Sequence, residues 1–179
     1  MLDINKGLND MQKLNLPEGL HMRPARDDDK AFIASLYRST RHDLRLADAE
    51  QDYIETLIDM QHHAQTVGYG EKFPNAMYFI VEKHNEKVGR VVVDFGPNEI
   101  RIVDIALLPA ARGHGFGKGI VQSLQAASAS TRVPLLLVVE RLNVGARQLY
   151  AGLGFQLAER DDLHDLLIWY PTQTIGATA

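Results

Sequence analysis

The 179-residue chain contains no cysteine. That absence excludes a disulfide framework, a cysteine-based zinc site and a thiol nucleophile. No stretch approaches 18 consecutive apolar residues, so no membrane span is expected. Strong charge of one sign is missing too. Nineteen basic against 23 acidic side chains leave a formal net charge of −4 and a pI of about 5.9, with no basic footprint for nucleic acid. The first residues, MLDINKGLND, lack a basic-then-apolar signal pattern, and the expected compartment is cytoplasmic. There are no internal repeats and no long linker. What remains, 45% hydrophobic and 23% charged residues, is ordinary for a soluble globular chain and long enough for one domain with a real core.

What is present in abundance is glycine at one place. Arg112-Gly113-His114-Gly115-Phe116-Gly117 is followed by Lys118 and Gly119. An apolar run, Ile100 to Leu108, precedes it and is closed by Pro109. A helical pattern follows, with Ile120, Val121, Leu124 and Ala127 on one face. Strand, glycine-rich loop and helix in that order leave backbone N–H groups free at a helix N-terminus, where the helix dipole adds partial positive charge. That is a site for phosphate. Glycine suits it because no Cβ blocks the anion and unusual dihedrals are open; Arg112 and Lys118 add full charges. The P-loop pattern fails twice, at Arg112 and at Gly119. The dinucleotide pattern fails because the glycines are spaced by two throughout. A third pattern, Arg/Gln-x-x-Gly-x-Gly/Ala after a strand ending in proline, is met by Arg112, Gly115 and Gly117. Alone, the hexapeptide also fits a glycine-rich turn that binds nothing.

A second stretch bears on that choice. Pro134 to Glu140 (PLLLVVE) is another apolar run, and after it come Asn143, Ala146, Leu149, Tyr150, Gly154 and Phe155. On these two motifs, in this order, the chain resembles the GNAT superfamily of acyl-CoA-dependent, GCN5-related N-acyltransferases over about residues 20–170. The resemblance implies an α/β fold: a central mixed, mostly antiparallel sheet of six to seven strands, helices on both faces, and a splay between the fourth and fifth strands. It implies acetyl-CoA as co-substrate, with its pantetheine arm paired to exposed strand backbone as an added strand. By motif match, backbone groups of Ile105, Ala106 and Leu107 meet the pantetheine. N–H groups of Arg112, Gly113, His114, Gly115, Phe116 and Gly117 meet the pyrophosphate, with Lys118 beside them.

Taken in order, residues 1–18 read as an extension, with or without a short helix, and Gly19–Arg23 as a first strand ended by Pro24. Asp27–Thr40 reads as a helix with its apolar stripe at Phe32, Ile33, Leu36 and Tyr37. Asp48–Gln65 reads as a second helix through Tyr53, Ile54, Leu57, Ile58 and Met60, and 67–74 (VGYGEKFP) as a loop. Ala76–Glu82 and Lys87–Phe95 read as a hairpin turning at His84-Asn85-Glu86. The strand from Ile100, the loop, its helix, the strand from Leu135 and a helix over Val144–Leu153 follow. A last hairpin, Phe155–Glu159 with Asp165–Trp169, turns at Asp161-Asp162. The domain expectation is 1–18 extension, 19–171 a single N-acetyltransferase domain, and 172–179 a flexible tail.

The implied reaction is attack of an amine on an acyl thioester. A lysine-like amine has a pKa of ~10.4, so deprotonation at pH 7 costs roughly 4–5 kcal/mol, which a base offsets in part, directly or through a water. The leaving thiolate benefits from a proton donor. No metal is needed. Tyr150 matches the tyrosine that donates this proton in many family members; the other reading is a core tyrosine whose hydroxyl only bonds the coenzyme. Asn143 reads as a helix cap, as a pantetheine ligand, or both. For the base, Asp104 comes first, as a charge inside an otherwise apolar strand, then Glu140, then Glu99; Asp104 also reads as the partner of Arg101 or another structural base. His62-His63 read as a solvated helix face rather than a metal site, since adjacent helical residues point about 100° apart. His114 reads as a phosphate contact or an exposed loop residue. Asp43, Asp48, Asp52 and Glu55 read as a solvated face, or as attraction for a cationic amine. The expected acceptor is a small-molecule amine or a protein amine, with the protein a monomer or homodimer that uses neither nucleic acid nor membrane. A coenzyme A-binding module without turnover is the alternative.

Overall fold

A computed structural model describes residues 15–172. The expectations for a short N-terminal helix and a frayed C-terminal tail fall almost wholly outside these residues. Among the described residues seven strands are formed: β1 (Leu20–Pro24), β2 (Met77–Lys83), β3 (Glu86–Phe95), β4 (Ile100–Leu107), β5 (Leu135–Glu140), β6 (Gln156–Arg160) and β7 (His164–Trp169). The helices are α1 (Lys30–Thr40), α2 (His42–Arg45), α3 (Gln51–Lys72), α4 (Phe116–Thr131) and α5 (Val144–Gly152). The strands form one open sheet in the order β1-β2-β3-β4-β5-β7-β6. Pairing is antiparallel for β1–β2, β2–β3, β5–β7 and β6–β7, and parallel for β4–β5. The parallel ladder holds three pairs, from Ile100–Leu135 to Ile102–Leu137.

The chain divides into two compact units. One holds Pro17–Asp94 and Val103–Gly117. Its strands are apolar without alternation: Phe79, Ile80 and Val81 on β2 and Val91, Val92 and Val93 on β3 are all buried. Consecutive strand residues face opposite sides, so both faces of these strands are covered. The β2–β3 turn has two residues, His84 and Asn85, both left-handed at φ 49° and 66°, a conformation that matches strand twist. One extra residue, Val88, bulges β3 opposite Val81 and Glu82. Beside it, a Cβ on Gly89 would lie 2.5 Å from the Ala106 carbonyl oxygen. Only glycine lets β3 approach β4 this closely.

The expected second helix is longer than its apolar spacing suggested. It runs to Lys72, through the glycine-rich stretch read as a loop. A Cβ at Gly68 or Gly70 would meet nothing, so these glycines weaken the helix by about 1 kcal/mol each without breaking it. Tyr69 between them is half-buried, and its phenol is pushed up by burial and by the Asp104 charge. That burial favours one more helical turn. Of the expected stripe, Ile54 and Ile58 are buried while Tyr53 and Met60 are largely exposed. The first predicted helix begins as a turn of 3-10 helix at Asp27–Asp29 before α1.

Asp29 is fully buried. Arg23 on β1 holds both its oxygens, at 2.8 and 3.0 Å. Lys87 on β3 lies 2.6 Å away and the Arg26 N–H donates at 2.8 Å. Arg23 also donates to Glu82 on β2 at 2.7 Å. One carboxylate thereby ties the start of α1 to β1 and β3, and Arg23 extends the network to β2. The Arg23 hydrogen bonds hold its carboxyl well below the usual carboxylate range, against the opposing cost of burial, and Lys87 adds to this.

The other unit holds Phe95–Ile102 and the chain from Lys118 onward. Ile120, Val121, Leu124 and Ala127 of α4 are buried, one face as the spacing requires. Leu135, Leu136 and Leu137 of β5 are buried as well. Every residue of β6 is exposed; it is an edge strand, and its Glu159 and Arg160 discourage further pairing. Asn143 caps α5 by accepting from the Ala146 N–H at 3.1 Å.

Replacing Asp29 with alanine leaves Arg23 and Lys87 without their shared partner, and the expected loss is about 3–5 kcal/mol in urea denaturation. Because the folded pKa lies below the unfolded value near ~3.9, the carboxylate's contribution is complete above that value, begins to fall there and is lost as pH drops through the lower, folded pKa. The gap between wild type and Asp29→Ala should hold steady from neutral pH down to about 5 and narrow below about 4. A constant gap to lower pH would dissociate the effect from this carboxylate.

Candidate active site

The glycine-rich loop joins β4 to α4 through a 3-10 turn at Pro109–Ala111. Gly113 and Gly115 are left-handed, at φ 76° and 78°, and a Cβ on either would meet no atom within 4 Å. Their conformation is the reason for glycine, and the space beside them is open. Among the described residues, the N–H groups of Gly113, His114 and Gly115 take part in no backbone hydrogen bond. Those of Phe116 and Gly117 open α4, where no helical acceptor precedes them. Five consecutive donors at the N-terminus of a 16-residue helix fit a pyrophosphate. Gly117 lies close to the Leu107 side chain, 3.8 Å from where its own Cβ would stand.

Four side chains hold this loop. The Arg112 Nε donates to the Leu107 carbonyl at 3.0 Å, so part of the guanidinium pins the loop to the end of β4. His114 and Phe116 stack with centroids 5.6 Å apart, and the Lys83 Nζ lies 5.2 Å from the Phe116 ring centroid. Lys83 is a cation near the loop that its position on β2 did not announce. Lys118 is exposed in the first turn of α4.

In the same unit, Asp104 sits on β4 and Ile105, Ala106 and Leu107 follow it, all half-buried. The Arg90 guanidinium on β3 donates to the Asp104 carboxylate at 2.7 Å and to Gln65 at 3.3 Å. Arg101 pairs with Glu99 at 2.9 Å, which commits the third carboxylate in the ranking. Arg90 was missed from sequence. Its signal was a lone arginine within the apolar run VGRVVVDF, matching the lone aspartate within IVDIAL on the next strand. Tyr37, Gln65, Arg90 and Asp104 line a cavity of about 40 Å³, room for a water with polar partners. His62 is not a solvated residue: its ring stacks on Tyr37 at 4.8 Å and its Nε2 is buried. Burial first, then the Arg90 charge, push its pKa down. Asp43 pairs with Arg41 and Glu55 with Arg38 and Arg45; these acids are balanced by arginines, while Asp48 and Asp52 are exposed.

In the other unit, Tyr150 lies on α5, half-buried, its ring edge-on to Phe155 at 5.6 Å. Glu140 ends β5, exposed, in register with His164 of β7. Asn143 is the α5 cap, as its sequence position suggested.

The sequence profile of the acetyltransferase (GNAT) family matches residues 26–155. A beta-lysine N(6)-acetyltransferase of Methanosarcina mazei is 24% identical over 169 residues, covering 88% of this chain. This chain spans 57% of that relative's length. Among solved structures, the PaiA N-acetyltransferase of Thermoplasma acidophilum in complex with coenzyme A superposes with a TM-score of 0.64 at 13% identity, over 84% of this chain and 98% of that one. The ribosomal-protein-S5-alanine acetyltransferase of Vibrio fischeri gives 0.57 at 18% identity, over 88% and 96%. No helix among the described residues is long and apolar enough to cross a membrane.

Gly115→Val should leave the protein folded, because a Cβ there meets no atom within 4 Å. It forces a β-branched residue into a left-handed backbone at a cost of about 1–2 kcal/mol, and it fills the space in front of the loop N–H groups. Coenzyme A affinity is expected to fall at least about tenfold by calorimetry. Unchanged affinity in a folded variant would remove the loop from the binding site.

Proposed function

The chain belongs to the acetyltransferase (GNAT) family, and from that premise we propose that it transfers an acetyl group from acetyl-CoA to a primary amine by direct attack on the thioester. The observation that carries this reading is the row of uncommitted N–H donors from Gly113 to Gly117. It is a pyrophosphate cradle with open space where side chains would stand. In this reading Ile105, Ala106 and Leu107 offer backbone to the pantetheine, and Arg112, His114, Lys118 and Asn143 flank the coenzyme.

The amine nitrogen forms a bond to the thioester carbonyl carbon, and the carbon–sulfur bond breaks. Three proton movements complete the balance. A carboxylate accepts the proton the ammonium must lose before attack, a donor protonates the departing thiolate, and the second proton that the nitrogen sheds as the amide forms restores that donor. Tyr150 is assigned the second role, its phenol being an adequate acid toward a thiolate. Asp104 is assigned the first. It lies in a cavity that admits a water, so the proton has a short route, and Arg90 fixes one carboxylate oxygen while the other is left for that water. Glu140 is the second carboxylate available, at the exposed end of β5. The acceptors in the relatives' names differ in kind, a free amino acid in one and a protein alanine in another, so the names alone leave the acceptor at the level of a primary amine.

Acetyl-CoA at ~100 times its dissociation constant should raise stability by about 2.7 kcal/mol, since it binds the folded chain alone. A thermal-shift titration reads this directly, and no shift at millimolar acetyl-CoA would sink the cofactor assignment. Thiol release over an amine panel then separates turnover from a coenzyme-binding module. With an amine in hand, Tyr150→Phe removes one hydroxyl and keeps the ring. If it protonates the thiolate, kcat and kcat/KM fall together by about 10²–10⁴. A rise in the acetyl-CoA KM with kcat intact would reduce Tyr150 to a coenzyme contact.

A further inference from the structure

A large cleft lies apart from the glycine-rich loop in sequence. It has a volume of about 610 Å³ and is formed within one unit by the end of β5, the first turn of α5 and the β6–β7 turn. That volume suits a small molecule. Its lining is of three kinds. Arg141, Arg147 and Arg160 supply guanidiniums beside the His164 ring, Glu140 and Asp162 supply carboxylates, and Leu142 and Leu163 supply apolar surface. The two leucines are 92% and 68% exposed, although each has cleft surface beside it.

The guanidiniums are organised from below. Asp165 on β7 is 1% exposed. Arg160 holds both its oxygens, at 2.7 and 2.9 Å, and the Arg147 Nε approaches at 3.2 Å. Arg147 also donates to the Arg141 carbonyl at 3.2 Å. Arg141 donates to the Asp161 and Asp162 carbonyls at 3.3 and 3.2 Å, and its charge acts on Asp165 through space. The Asp161 carboxylate accepts from the Leu163 and His164 N–H groups, which commits it to the turn. Three cations therefore converge on one buried carboxylate that two of them share. Each guanidinium has five N–H donors in a fork suited to a carboxylate, and the bonds described use only some of them. Arg147 and Tyr150 are three residues apart on α5 and share a side of that helix. The cleft is thus built on the same short helix as the assigned proton donor.

We propose that this cleft selects the acceptor, and that the acceptor is a free amino carboxylic acid: its carboxylate lies on the Arg141, Arg147 and Arg160 guanidiniums, its methylenes on Leu142 and Leu163, and its ammonium toward Glu140. The proposal rests on the amine acetyltransferase reading above and narrows its substrate class. A zwitterion fits because the lining carries both signs of charge at separate places. A plain amine uses none of the guanidiniums.

The test compares acceptors that differ in the carboxylate alone. Lysine is set against lysinamide and cadaverine, and 6-aminohexanoate against pentylamine, with a panel of peptides bearing free N-termini alongside. Thiol release is followed with wild type, Arg141→Gln and Arg160→Lys. Coenzyme A binding by calorimetry reports that each variant is folded. The expected result is a kcat/KM at least about tenfold higher for one or more carboxylate-bearing acceptors. That preference should shrink in Arg141→Gln through a higher acceptor KM, with the KM for acetyl-CoA held. Equal rates with and without the carboxylate overturn the proposal and leave the acetyltransferase reading standing. So does preference for peptides, or a carboxylate preference that survives in both variants. Absence of thiol release with every amine, despite coenzyme binding, counts against the acetyltransferase reading itself.

Discussion

A carboxylate taken out of water needs a cation, and the structure turns on three places where that need is met. Asp29 is fully buried and holds Arg23 and Lys87, which join the start of α1 to β1 and β3. Asp104 holds the nearly buried Arg90 across β3 and β4. Asp165 is 1% exposed and holds Arg147 and Arg160 between α5, β6 and β7. Leaving any of these acids unpaired would cost several kcal/mol, so each pair constrains the elements that carry it. Two of the three pairs also orient polar groups toward an open space, one a small cavity and the other a large cleft.

The glycine-rich loop obeys the opposite constraint. Its usefulness depends on backbone donors that remain without partners in the chain, and only a left-handed backbone at Gly113 and Gly115 presents them together. Side chains secure the loop from outside: Arg112 on the Leu107 carbonyl, and Phe116 between His114 and the Lys83 ammonium. The close approach of β3 to β4 at Gly89 places backbone against the Ala106 carbonyl. The same stretch of β4 therefore depends on a glycine several strand residues away, on a neighbouring strand.

Much of the fold was legible because its signals are local. The spacing of Ile120, Val121, Leu124 and Ala127 specifies one buried helix face wherever that helix lies. The His84-Asn85 turn and the Asn143 cap follow from residue chemistry over two to four positions. Reading failed where a distant partner overrode a local preference. The stretch around Gly68 and Gly70 looked like a loop, yet burial of Tyr69 carries the helix to Lys72. His62 looked solvated, yet it stacks on Tyr37 from another helix. Of the three adjacent aspartates that open the first predicted helix, Asp29 alone is buried.

The amino-acid sequence by itself determined the family of the chain and the place of its glycine-rich loop between a strand and a helix, because glycine dihedrals and periodic burial act within one element. Tertiary structure decided which charges meet. Arg90 lies 14 residues from Asp104 and Arg160 lies 13 from Arg147, and nothing in those separations indicates the first as an ion pair or the second as two cations on one acid. Only the register of β7 against β5 and β6 brings Asp165 beneath the arginines. Ion pairs depend on distance in space through the Coulomb interaction, and that distance is set by folding rather than by position along the chain.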